Sequence, residues 1–457
     1  MTPIQVALLG TGTVGGGMLR VLSRNQEEIT RRAGRGIVVT MIGARHVEKA
    51  RKLVGDGVRV ESDLFAVVTD PSVEIVVELI GGTTDAKALV LAAIAAGKHV
   101  VTANKALLAL HGNEIFAAAQ AKGVMVAFEG AVAGGIPIIK ALREGLTANR
   151  VEWIAGIING TSNFILSSMR DSGASFAEAL AEAQRLGYAE ADPTFDIEGI
   201  DSAHKLSIMS AIAFGIPMQF SRAYTEGISK ITAEDIRYAE ELGYRIKLLG
   251  ISRRVDVDDA ASGDANAANN GAINRASGGI ELRVHPTLIP TKRLLANVEG
   301  VMNAVLVKGD AVGPTLYYGA GAGAEPTASA VVADLVDVTR LHTADPEHRV
   351  PHLAFQPDSL SATPILPIAE VRTAYYLRLR VADKPGVLAD ITRILADAQI
   401  SIGAFLQKEP AEGTHVTDII MLTHNTIEKR VDAAIARIEA LETALSSVTR
   451  IRVEDLA

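Results

Sequence analysis

Short apolar runs alternate with longer stretches of helical period through residues 1 to about 150. The runs at 4–9, 37–43, 75–80, 98–102 and 124–128 have strand length, and after the first of them Met18, Leu19 and Leu22 recur at helical spacing. Strands covered by helices on both faces read as unbroken apolar runs, so this alternation predicts a parallel sheet of βαβ units. From about 151 the pattern changes. Trp153–Ile158 reads as a strand and leads into the polar, turn-rich Asn159-Gly160-Thr161-Ser162-Asn163. That cluster either offers amide and hydroxyl groups to a polar ligand or caps a helix over 163–170. Leu206–Phe214 is apolar nearly all round, which predicts a buried helix opening at Asp201 and Lys205.

Further on, strand-like runs at 246–251 and 280–285 flank 256–279, a tract of Ala, Asn, Asp, Gly and Ser with little to bury. It reads as a flexible surface insertion without chemistry. A helix is expected from Ala328 to about Arg340, behind the small residues of Gly319–Gly323. Pro346, Pro351, Pro357, Pro364 and Pro367 mark 341–373 as a linker. Beyond it come a strand at 374–381, a helix through Leu395, strands at 399–407 and 416–423, a helix at 427–444 and a strand at 447–453. This β-α-β-β-α-β order predicts a ferredoxin-like module over 374–457. The fold class expected is therefore α/β, with a doubly wound parallel sheet over 1–150, a second α+β domain over 151–310 and the ferredoxin-like domain last.

Composition narrows the function. Against 45 basic residues stand 53 acidic ones, a net charge of -8, and no basic block is present to track nucleic acid. No apolar run is long enough to span a bilayer. The apolar N-terminal segment runs straight into a glycine motif, so it reads as a buried strand rather than a signal peptide, and the cytoplasm is expected. The absence of cysteine excludes disulfides, zinc–thiolate sites and thiol nucleophiles.

The most informative motif is Gly10-Thr11-Gly12-Thr13-Val14-Gly15, a G-x-G-x-x-G between the first strand and the first helix. Gly10 allows the sharp turn, Gly12 lets backbone approach a pyrophosphate and Gly15 lets helix and sheet pack closely. With Thr13 and Val14 at the helix N-terminus they form the expected Rossmann cofactor cradle; the alternative is a tight turn holding no ligand. The second strand ends in Ala44-Arg45-His46 with no acid, so Arg45 is expected to meet a 2′-phosphate and NADP(H) is preferred over NAD(H). Gly81 lies in a glycine-rich exit placed to pass beneath a nicotinamide ribose. Lys105 is delivered to the carboxyl edge of the sheet, as a functional group or as a solvated surface lysine. Asp201 and Lys205, four residues apart, share a helix face. A lysine at the mouth of a buried helix must be paired or used, so this is a salt bridge or a catalytic site.

The segments GTGTVGGG at 10–17, TANK at 102–105, FEGAVAGGIP at 128–137, NGTSN at 159–163, LGYAEADP at 186–193, GIDSAHK at 199–205, GAGAG at 319–323 and DKPGVL at 383–388 carry a resemblance across nearly the whole chain. The sequence resembles homoserine dehydrogenases of the bacterial type with a C-terminal ACT domain and no fused aspartate kinase. The one departure, 256–279, lies outside every matching motif. The resemblance implies NAD(P)-dependent interconversion of L-homoserine and L-aspartate 4-semialdehyde, in threonine, methionine and isoleucine biosynthesis. Lys205 would be the general acid at the C4 oxygen, with Lys105 orienting oxygen and nicotinamide. A lysine pKa of about 10.4 suits neutral pH poorly, and burial with a second ammonium would lower it. Glu190 would hold the substrate ammonium, assisted by Asp201. Glu129, with the carbonyls of Val132, Gly134 and Ile136, would bind a monovalent cation, usually Na+; the alternative is a structural turn closed by Glu129. Gly323 would approach the cofactor from a segment, about 311–340, that completes the Rossmann domain. The ACT domain would sense threonine near Asp383 and Gly386, and the 151–310 region would build a homo-oligomer, dimer or tetramer.

Two other enzyme classes do not fit the chain. A sugar or inositol dehydrogenase carries Glu-Lys-Pro where this chain has Asn104-Lys105-Ala106. Aspartate-semialdehyde dehydrogenase needs a cysteine thiolate, and there is none. A non-catalytic amino-acid sensor would be expected to have lost Lys105, Glu190 or Lys205, and all three are present.

Overall fold

The computed structural model describes residues 2–256, 278–408 and 415–457. Apart from its end residues, the tract expected as an insertion, 256–279, lies outside the described residues. The chain divides into two compact units, one of residues 1–160, 201–223 and 301–363, the other of 161–200, 224–300 and 364–457.

In the first unit, strands β1 (Ile4–Leu9), β2 (Ile37–Gly43), β3 (Arg59–Glu61), β4 (Ile75–Glu78), β5 (His99–Thr102) and β6 (Val126–Ala127) form one sheet in the order β3-β2-β1-β4-β5-β6. All neighbours run parallel. This is the doubly wound dinucleotide-binding order, with its ligand crevice at the carboxyl ends where the order reverses between β1 and β4. The short β3 was not announced by the apolar pattern, because Val60 alone of its residues is buried.

Two glycines make the first turn possible. Gly10 has a φ of 92°, and a Cβ there would lie 2.7 Å from the Leu79 carbonyl oxygen; a Cβ on Gly15 would lie 2.1 Å from that of Gly10. The first helix, Thr13–Arg24, crosses the helix Ala324–Leu341 closely enough that a Cβ on Gly17 would meet Ala324 O at 2.4 Å. That second helix starts a turn before Ala328, since Pro326 is tolerated where no backbone N–H is needed. Its Val331, Val332, Leu335 and Val338 enter the same core as Ile4, Val6, Leu8 and Ile75. At about 1.5–3 kcal/mol for each buried Val or Leu, it is part of this fold rather than a cover.

The first unit also holds an antiparallel sheet of Val151–Ile157, Met302–Gly309 and Gly313–Ala320. Residues 341–363, expected within a linker, are tied down: Val126 N–H donates to His352 Nε2 at 3.1 Å. The His352 ring stacks on Phe116, and Phe355 packs over Gly215.

In the second unit, Tyr244–Val255 and Gly279–Pro290 pair antiparallel along their length. The C-terminal module shows the expected β-α-β-β-α-β order, with Arg372–Ala382 between Thr449–Val453 and Val416–Thr423, and Ile402–Gln407 at the edge. Helices Val387–Asp397 and Glu428–Glu439 bury Val387, Ile391, Leu395, Val431 and Ile438 against Tyr375, Leu377 and Leu379. Its last strand also pairs in parallel with Gly279–Pro290, Thr287 opposite Arg452 and Leu288 opposite Val453. The module is thus continuous with the neighbouring sheet, which no local pattern signals.

Candidate active site

The carboxyl edge of the first unit's sheet gathers several of the predicted residues. β5 ends at Thr102, and the helix Lys105–Lys122 opens with the Asn104 side chain accepting the Leu107 N–H at 3.1 Å. Asn104 also donates to Gly82 O at 2.7 Å, which ties this turn to the glycine-rich exit of β4. There Glu78, fully buried, accepts from Thr102 Oγ1 at 2.6 Å and from the N–H groups of Ile80 and Gly81. The two turns that frame the crevice are therefore set by a buried carboxylate, and Gly81 (φ 71°) faces open space.

The strand Val151–Ile157 and the helix Ile200–Phe214 supply the rest of the cluster. Every residue of that helix from Asp201 to Phe214 is buried. Asp201 Oδ2 accepts from Lys205 Nζ at 2.6 Å and from Asn159 Nδ2 at 2.9 Å. Its Oδ1 lies 2.9 Å from Lys105 Nζ. Lys205 Nζ also donates to Ile158 O at 2.8 Å. Burial alone would raise the Asp201 pKa, but the ammonium groups of Lys205 and Lys105 outweigh it and hold the carboxyl well below the usual carboxylate range. The site is thus one ionised carboxylate between two ammonium groups. His204, beside Lys205, has its pKa pushed by burial down to about 4, so it is neutral.

In the turn expected as the cofactor cradle, Gly10 and Gly15 are dictated by close contacts, whereas a Cβ on Gly12 would meet nothing within 4 Å. Thr13 and Val14 begin the helix that points at that opening. Arg45 is exposed beyond β2 and pairs with Asp85 at 3.3 Å, a partner the sequence did not suggest. Gly323, with a φ of 130°, precedes the helix Ala324–Leu341.

The segment 129–137 makes a buried left-handed turn, with φ of 55° at Ala133 and 49° at Gly134; a Cβ on Gly134 would sit 2.5 Å from Gly321 O. The Glu129 carboxylate accepts the N–H groups of Ile139 and Lys140, each at 2.9 Å, and its own N–H donates to Asp334 at 2.7 Å. Its side chain therefore closes the turn. The Ile136 carbonyl accepts the Ile138 N–H at 2.8 Å, while the carbonyls of Val132 and Gly134 accept no backbone hydrogen bond among the described residues. Two carbonyls in a buried turn without such a donor are hard oxygen donors of the kind that suits a monovalent cation.

In the second unit Glu190 is exposed, on a loop whose backbone is held by Gln184 donating to Glu190 O at 3.1 Å. The cluster 159–163 does not cap a helix at 163; the helix itself begins at Gly160 and runs to Ser172. In the C-terminal module Asp383 and Gly386 line a cleft of about 190 Å³ together with Lys384, Gln407 and Thr417. Glu78, Thr102 and Asn104 are site residues to which the sequence assigned no role, and Asn159 was expected only as one member of the polar cluster 159–163. Their signal is a polar residue at the end of an apolar strand.

A sheet of order 3-2-1-4-5-6, a glycine cradle at its switch point and a lysine–carboxylate–lysine cluster beside it define a dinucleotide-fold oxidoreductase. Comparison with known proteins narrows the class. The family model described as Homoserine dehydrogenase matches residues 137–336, that described as Homoserine dehydrogenase, NAD binding domain, matches 10–129, and the ACT domain model matches 375–443. The chain is 60% identical to a homoserine dehydrogenase of Pseudomonas aeruginosa and 57% to one of Neisseria gonorrhoeae, covering 100% of each chain in both. A crystal structure of a homoserine dehydrogenase from Thiobacillus denitrificans is 71% identical, with a TM-score of 0.91 over 100% of this chain and 99% of that one. The chain belongs to the homoserine dehydrogenase family: it is an oxidoreductase with a nicotinamide-dinucleotide-binding domain and an ACT domain. Among the described residues no helix is long and apolar enough to cross a membrane.

Proposed function

We propose that this enzyme interconverts L-homoserine and L-aspartate 4-semialdehyde with NADP(H), working in the reductive direction in threonine, methionine and isoleucine biosynthesis. The observation that carries the reading is Asp201 held between Lys105 and Lys205. The nicotinamide cofactor, when bound, supplies or accepts the hydride. Lys205, oriented by Ile158 O and Asp201, donates the proton to the C4 oxygen as negative charge grows there, and Lys105 adds a second ammonium to that charge. Asp201 keeps both lysines charged and directed. Glu190 pairs with the substrate ammonium, which needs a carboxylate once it leaves water.

Arg45, paired here with Asp85, would turn to the 2′-phosphate of NADP(H), and the lack of an acid at the end of β2 supports NADP(H) over NAD(H). The carbonyls of Val132 and Gly134 would hold Na+, with Glu129 shaping the loop. The cleft at Asp383 and Gly386 would take threonine as a feedback inhibitor. Residues 1–150, completed by 311–340, would serve the cofactor and 151–310 the substrate and a homo-oligomer, in the cytoplasm.

The test is the initial rate of NADP+ reduction by L-homoserine in Lys205→Ala beside the unaltered enzyme. Loss of turnover by about a hundredfold or more, with cofactor binding retained, is expected. Unchanged turnover would remove Lys205 from the chemistry.

A further inference from the structure

The loop 186–199, which carries Glu190, is backed within the same unit by the segment 224–228. Ile228 N–H donates to Ile197 O at 2.8 Å. A Cβ on Gly227 would lie 2.5 Å from Ile197 O and 2.4 Å from Glu198 Oε2, and Gly199 turns with a φ of 78° against Thr225 and Val284. With no room for even a methyl group, displacement of 224–228 must displace 197–199.

The other side of 224–228 is held from the C-terminal module. Arg452, 1% exposed on the strand Thr449–Val453, donates from Nη1 to Glu226 Oε2 at 2.8 Å and from Nη2 to the Tyr224 hydroxyl at 3.1 Å. From Nε it donates to Glu428 Oε2 at 2.8 Å, and Nη2 bonds the other Glu428 oxygen. The Tyr224 hydroxyl donates to Glu226 Oε2 at 2.8 Å, and its ring lies 4.8 Å from the guanidinium carbon. One planar fork thus joins Glu428, on the module's own helix, to Glu226. Burying charges is an expensive way to fill space, and a guanidinium shared by two carboxylates fixes both in direction as an apolar contact would not.

We propose that Arg452 is a positioning residue for homoserine. Through Tyr224 and Glu226 it holds the loop 186–199 in place, so the ACT module forms part of the support of the substrate site. The inference rests on the reading of Glu190 as the partner of the substrate ammonium.

Arg452→Lys, Glu226→Gln, the double variant and the milder Tyr224→Phe test it, each first checked for an intact far-UV spectrum. KM for L-homoserine is expected to rise about tenfold in either charge variant, with KM for NADP+ and kcat nearly unchanged. The double variant should be no worse than the poorer single one, because both break one contact. Tyr224→Phe should follow in the same direction with a smaller change, and it decides the matter if the charge variants fail to fold. An unchanged homoserine KM, an equal rise in both KM values or additive effects in the double variant would overturn the proposal. Glu190→Gln separates the two readings: no rise in homoserine KM there removes the ammonium site itself, whereas a rise there without one in the Arg452 and Glu226 variants removes only this inference.

Discussion

Asp201 and Lys205 stand one helical turn apart with 2.6 Å between Oδ2 and Nζ, and both are buried. A second lysine, Lys105, reaches the other oxygen of the same carboxylate from a different part of the chain. Removing only the charge of that carboxylate would leave two ammonium groups facing each other across a neutral amide. Asp201→Asn is therefore expected to lower kcat by about a hundredfold and to lower the melting temperature. It should also shift the pH–rate profile to lower pH, because the lysines would lose the group that keeps them charged. A profile superimposable on that of the unaltered enzyme would show that the carboxylate does not govern their protonation.

Arg45 and Asp85 form an exposed pair beyond the second strand. If the guanidinium meets a 2′-phosphate, Arg45→Ala should raise KM for NADP+ about tenfold and leave KM for NAD+ unchanged. Asp85→Ala, which removes a competitor for the guanidinium, should lower KM for NADP+. Steady-state kinetics with both cofactors decide the point, and equal effects on the two would end the NADP assignment.

Two histidines, His99 buried and His352 half-buried, hold the edge strand Val126–Ala127. Met125 N–H donates to His99 Nδ1 at 2.9 Å and Val126 N–H donates to His352 Nε2 at 3.1 Å. Both rings must be neutral to accept. Burial pushes each pKa from the ordinary 6.5 down to about 4, with nearby cationic groups adding to the shift. The unfolded chain then binds more protons between these values, so the stabilisation is complete above about pH 6.5 and is lost as pH falls toward 4. Asp334 acts in the opposite sense: burial pushes it up to about 7 from 3.8, so its contribution fades as pH rises through that range. With His204 also lowered by burial to about 4, the histidines outnumber it. The melting temperature should fall between pH 7 and pH 5, and hydrogen exchange at Met125 and Val126 should accelerate first. A flat melting temperature over that range would contradict the argument.

Threonine, if it occupies the cleft at Asp383, should inhibit the unaltered enzyme. Asp383→Ala should keep the uninhibited rate and lose the inhibition. Inhibition that survives the substitution would place threonine elsewhere.

Much of this protein is legible in its sequence. The cradle Gly10–Gly15 was readable because a strand, three glycines and a helix are adjacent in sequence, and the ferredoxin-like order at the C-terminus was readable because each element has its own local period. Asp201 and Lys205 could be paired from their spacing alone. Lys105 could be placed only at the edge of a sheet, since 96 residues separate it from Asp201, and only folding makes them neighbours. β3 escaped notice because it is short and buries one side chain. That the Glu129 carboxylate accepts the N–H groups of Ile139 and Lys140 was not readable from the chain, because donors and acceptor meet only in the folded turn.

The sequence by itself determined the class of each element, the nucleotide cradle and the kinds of residue available for catalysis, because those depend on neighbours within a few positions along the chain. Tertiary structure alone decided that one carboxylate lies between two lysines and that residues 341–363 are strapped to the first unit. It alone decided that the last strand joins the module to the sheet beside it. Those features depend on groups brought together from distant positions, where direction, burial and charge are settled by packing and leave no periodic trace in the chain.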